Sequence, residues 1–87
     1  HVHVESSHLT PERYADVVVS QGTTTIFWDP HELANVLELA GVRYAIDASR
    51  NLPLRVICAA PSSVPSTPGL EMSGADFHGP EMATMLE

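Results

Sequence analysis

The sequence predicts an α/β fold built from parallel strands joined by helical crossovers. Three observations carry this expectation. β-Branched and apolar runs alternate with stretches of helical spacing along all 87 residues. Residues 54–60 are nearly all apolar, as in a strand covered on both faces of a parallel sheet. Polar and ionisable residues gather just after each predicted strand, at the rim where β/α folds bind ligands. The order reads β-α-β-α-β-loop-α, and right-handed crossovers make parallel strands the natural arrangement. Three such units cannot close a barrel. Residues 1–87 therefore read as one piece of a single, larger β/α domain.

Residues 2–5 read as the end of a strand. The turn at 6–11 feeds a helix, with Thr10 as N-cap and Pro11 at the first helical position. That helix runs through Tyr14, Val17 and Val18, and Gly22 ends it. Residues 23–28 are β-branched and aromatic and form the second strand. Asp29 and Pro30 break it, because Pro30 cannot continue a central strand. A helix then spans about 32–49. Leu33, Val36, Leu37, Ala40, Tyr44 and Ala48 recur at three- and four-residue spacing, and Gly41 weakens the helix or splits it. The third strand covers 54–60, a proline-rich loop covers 61–69, and a last helix begins near Gly79-Pro80-Glu81.

Four arginines, no lysine and eleven acidic residues give a formal charge of -7. That balance argues against a nucleic-acid backbone or an anionic membrane as partner. Cys58 is the only cysteine, which excludes an internal disulfide and a thiolate zinc cluster. Its apolar neighbours make it a core residue rather than a nucleophile. No run approaches the roughly 20 apolar residues of a membrane span, and no basic-then-apolar leader marks secretion. A cytoplasmic setting is expected.

His1 and His3 lie one residue apart, so a strand would project both imidazoles from one face. Glu5 continues that face, giving three potential ligands for a divalent metal in five residues. The alternative is a tag remnant, or an exposed pair that binds nothing. Asp29-Pro30-His31-Glu32 is the second cluster. It reads as a metal or proton-transfer site. It also reads as a helix start, with Asp29 capping and Glu32 near the positive helix end; capping does not explain His31. Ser62 and Ser63 follow the third strand and suit either a ligand or turn chemistry. His78, in a Gly/Asp-rich stretch, reads as a surface residue.

Four stretches together resemble the adenine deaminases of the amidohydrolase superfamily. They are His-Val-His-Val-Glu-Ser-Ser-His-Leu-Thr-Pro (1–11), Gly-Thr-Thr-Thr (22–25), Asp-Pro-His-Glu-Leu-Ala-Asn-Val-Leu (29–37) and Pro-Ser-Ser-Val-Pro-Ser-Thr-Pro (61–68). The resemblance implies a (β/α)8 TIM-like barrel, of which this chain looks like the first three β/α units. It implies a metal-dependent hydrolase that converts adenine to hypoxanthine and ammonia in purine salvage. His1 and His3 match the family's metal ligands from the first strand. The expected metal is manganese or iron, with zinc as an alternative. Glu5, Asp29, His31 and Glu32 match motif positions near the site, as further ligands, ligand-supporting groups or substrate contacts. Other ligands and the proton-shuttling aspartate belong to later strands, so the isolated chain is expected to be inactive. The competing expectation is a small metal-binding or self-assembling β/α module without catalysis, whose open strand edges pair into a homo-oligomer.

Overall fold

The computed structural model describes residues 1–65, 67, 69–70 and 74–86. Its centre is a two-stranded parallel sheet, β1 (Thr25–Trp28) beside β2 (Arg55–Cys58). The register pairs Thr25 with Arg55 and Trp28 with Cys58. On the other edge of β1 a single parallel bridge joins Val2 to Trp28. The Val2 N–H donates to the Phe27 carbonyl at 2.8 Å, and the Asp29 N–H donates to the Val2 carbonyl at 2.9 Å. The expected first strand is thus reduced to its last paired residue. The chain then tightens into a 3-10 turn at Val4–Ser7, which buries Val4 and takes Glu5 off the strand face.

Helix α1 (Pro11–Ser20) follows. The Thr10 hydroxyl accepts the Arg13 N–H at 3.3 Å, and Pro11 opens the first turn as the sequence requires. The crossover from β1 to β2 is not one helix but two, α2 (His31–Leu37) and α3 (Leu39–Ala48). The break falls at Glu38, with φ +56°, three residues before Gly41. Gly41 has a different task. A Cβ there would collide with the Leu33 carbonyl, so its missing side chain lets α3 cross close against α2. Helix α4 (Gly79–Met85) packs on α3 and begins where Gly79-Pro80-Glu81 predicts.

The core lies on one side of the sheet. Val4, Ala15, Ile26, Trp28, Ala45 and Leu54 pack together there, and Ala34, Val42, Val64 and Ala75 form a second cluster. Burying an aliphatic or aromatic side chain of this kind contributes about 1.5–3 kcal/mol. The break at Glu38 resets the helical phase. Ala34, Val42 and Ala45 face inward, while Val36, Leu37 and Tyr44 of the expected stripe are exposed. The other sheet face carries Thr25, Phe27, Arg55 and Ile57, all exposed. Phe27 keeps 54% of its surface open. The expectation that 54–60 is covered on both faces therefore fails among the described residues. Cys58 is half-buried, with its Sγ 3.5 Å from the Ser49 hydroxyl, rather than fully in the core. No described helix is long and apolar enough to cross a membrane.

Candidate functional site

Val2 is the paired residue, so its neighbours His1 and His3 both project from the sheet face opposite the core. Their ring centroids are 5.0 Å apart. Asp29 leaves the end of β1 directly beside them. His3 Nδ1 lies 2.8 Å from the Asp29 carbonyl oxygen. A carbonyl only accepts, so Nδ1 carries the hydrogen and Nε2 keeps the lone pair of the neutral ring. His1 Nε2 sits 3.4 Å from Asp29 Oδ2. Asp29 Oδ1 is buried without a hydrogen-bond partner among the described residues. One donor atom from each of His1, His3 and Asp29 falls within 4.8 Å of the others. The strand-face reading of the two histidines thus places them side by side and adds Asp29 to them.

The start of α2 closes the site. Glu32 Oε2 is 3.6 Å from His3 Nδ1, and the Ser6 hydroxyl donates to Glu32 Oε1 at 2.7 Å. The His31 ring stacks edge-on to His3 at 6.2 Å. Together His1, His3, Asp29, His31, Glu32 and Ser63 line an open cleft of about 340 Å³. Ser62 is exposed and outside this lining, so of the two loop serines only Ser63 joins the site. His78 stays at the surface, 3.3 Å from Asp76 and far along the chain at the start of α4.

Glu5 departs from its expected place. It does not extend the histidine face. Its Oε2 accepts the Trp28 indole N–H at 2.7 Å, and its Oε1 accepts the Glu32 and Leu33 N–H groups at 3.1 and 3.4 Å. It still shares a 4.8 Å neighbourhood with His3 and Glu32. Burial pushes the Glu5 carboxyl above its ordinary value, and the neighbouring Glu32 pushes it further. Glu32 is also partly desolvated, but the Ser6 hydroxyl, Glu5 and its own backbone outweigh this and hold it below the ordinary range. Trp28 and Ser6 are the site-forming residues that local sequence reasoning passes over. Trp28 reads only as a strand residue, and Ser6 only as one of several polar residues in the turn after the first strand.

Imidazole nitrogens and carboxylate oxygens in this mixture suit manganese, iron or zinc, and the partnerless Asp29 oxygen is an acceptor that a cation would satisfy. No family model matches the chain. It is 87% identical over 86 residues to the adenine deaminase of Serratia proteamaculans, covering 99% of this chain and 14% of that protein. The adenine deaminase of Klebsiella pneumoniae is 79% identical over the same share of both chains. That of Moorella thermoacetica is 49% identical over 87 residues, covering 100% of this chain and 15% of that protein. The chain thus spans about one seventh of the length of the curated relatives it matches.

Proposed function

We propose that this chain, homologous over its length to proteins named adenine deaminase, is the part of such an enzyme that begins its metal site. The reaction is hydrolytic. Adenine and water give hypoxanthine and ammonia, with the exocyclic C–N bond broken and a C–O bond formed. The observation that carries this reading is the convergence of His1, His3 and Asp29 at one end of the sheet.

His1 and His3 would hold the cation, with Asp29 the nearest further ligand. When bound, a divalent manganese, iron or zinc ion supplies Lewis acidity and lowers the pKa of nearby water. The chain's own residues prepare for this. The Asp29 carbonyl fixes the His3 ring and its tautomer, leaving Nε2 as the donor nitrogen. Glu32, held ionised by Ser6, can accept a proton at its carboxylate beside the cleft. His31 and Ser63 also line the cleft, where a bound purine would meet them. The open sheet face with Phe27 and Ile57 is where further strands of a (β/α)8 barrel would pack. The whole protein would then be a cytoplasmic hydrolase of purine salvage.

The test uses the full-length protein loaded with manganese. Adenine loss and ammonia release should appear, and His1→Ala or His3→Ala should lower kcat/KM by about 100-fold or more together with bound metal. The 87 residues alone should release no ammonia. A metal-loaded full-length protein that leaves adenine intact, or a His3→Ala variant with full activity, overturns the reading.

A further inference from the structure

We infer that Glu5 is a positioning residue: its carboxylate clamps the Asp29–Glu32 segment against the strand that carries His1 and His3. The inference rests on the metal reading for its purpose, but its geometry stands alone. Helix α2 has no cap of its own. Its N-cap position is Pro30, whose side chain offers no acceptor, and no side-chain bond is made there. The Glu32 and Leu33 N–H groups are instead accepted by Glu5 Oε1, from 27 and 28 residues away. The other oxygen is taken by the indole N–H of Trp28, which is 1% exposed and cannot move without opening the core.

Glu5 therefore joins three pieces that the chain keeps apart: the turn after His3, the end of β1 and the start of α2. Two further ties act in parallel. The His3 ring donates to the Asp29 carbonyl, and Ser6, the next residue of the same turn, donates to Glu32 Oε1. A carboxylate offers about four lone-pair directions, and three N–H donors already take up most of those of Glu5. A metal ligated by Glu5 would have only the one direction these bonds leave. A role in holding the ligands fits them as they are.

Glutamine separates the two roles. It offers one oxygen and one NH2. Whichever way it turns, either the α2 N–H groups or the Trp28 indole N–H meets a donor. Trp28→Phe removes that conflict. In the full polypeptide, Glu5→Gln should weaken Mn2+ binding about tenfold, read from free Mn2+ by electron paramagnetic resonance. Beside Trp28→Phe, the same change should cost less than about threefold. An equal loss in both backgrounds marks Glu5 as a ligand and overturns the inference. A second readout needs no metal. In metal-free protein, Glu5→Ala should speed hydrogen exchange of the peptide covering 29–37 by about tenfold, with the Thr10-capped helix as internal reference. Unchanged exchange at 29–37 overturns the clamp. A wild-type protein that binds no Mn2+ sinks the metal reading instead, and the exchange result still decides for or against the clamp.

Discussion

Gly41→Ala should destabilise the fold, against the usual sense of this substitution. In an exposed helix interior, glycine to alanine stabilises by about 0.8–1 kcal/mol, because alanine loses less backbone freedom. Gly41 lies inside α3 and is buried. The atoms that a new methyl would meet are backbone: the Leu33 carbonyl oxygen and carbon, and the Ala34 nitrogen at 3.2 Å. No rotamer change relieves such a contact, so α2 and α3 must move apart. Overpacking of this kind costs about 1–3 kcal/mol, and more when backbone has to shift. Because backbone has to move, the upper part of that range, about 2–3 kcal/mol, applies, and subtracting the propensity gain leaves a loss of about 1–2 kcal/mol. For a unit of this size that is a fall in Tm of about 4–16 °C. Trp28 is the only tryptophan and lies in the core, so its emission follows thermal or urea unfolding directly. Gly79→Ala is the control: it is exposed in α4 with nothing within 4 Å of its added carbon, so it should hold or raise Tm. If Gly41→Ala raises Tm as an ordinary helix substitution does, the close crossing of α2 and α3 is wrong.

Two more predictions follow from local geometry and charge. Thr10→Ala removes the acceptor for the Arg13 N–H and should cost about 1 kcal/mol in urea unfolding, while Thr10→Ser should restore most of it. The Glu5 carboxyl is raised above its ordinary 4.5, first by burial and then by Glu32. A raised carboxyl binds more protons in the folded than in the unfolded chain, so its contribution to stability is full below 4.5 and is lost as pH rises through the folded value. Glu32, lowered, acts with the opposite sign: its contribution is present above 4.5 and lost as pH falls through its folded value. Glu32→Gln should therefore move the acid titration of Trp28 emission to lower pH, because the indole N–H is bonded to Glu5. A midpoint that stays put, or rises, contradicts the coupling of the two carboxyls.

Local signals made α1 and α4 legible. Thr10 and Pro11 set the first, and Gly79-Pro80-Glu81 the second, because capping acts within one turn. The cores of β1 and β2 were legible from β-branched and apolar runs for the same reason. Gly41 suggested a split, but its place at Glu38 was not legible. A glutamate has no local preference for φ +56°, so nothing in the neighbouring residues marks the position. Reading one helical phase through the whole span put Val36, Leu37 and Tyr44 on the wrong side, because the break falls at Glu38. The histidine pair was legible from its period of two, but Glu5 at the same period was not where the period placed it. Its carboxylate answers to N–H groups at Trp28, Glu32 and Leu33, and no window of a few residues contains both ends of those bonds.

The same alternation that exposes Phe27 also fixes where the site stands. Val2 pairs with Trp28, and Trp28 pairs with Cys58, so these three share the face that packs on the helices. Their neighbours His1, His3, Phe27, Asp29 and Ile57 necessarily share the other face. A slip of one residue in the first pairing would turn both imidazoles toward Val4, Ala15 and Trp28 and bring Val2 out to solvent. Two neutral imidazoles without partners in that cluster would each cost on the order of 1–3 kcal/mol, and the bond from His3 to the Asp29 carbonyl would be lost with them. The apolar pairing of Val2 and the polar work of its two neighbours are thus one constraint. Packing on the core side selects the register, and the register places both histidines at the rim beside Asp29. That is why a contact as small as one bridge can hold a candidate metal centre, and why the centre opens onto the uncovered face of the sheet rather than onto the helices.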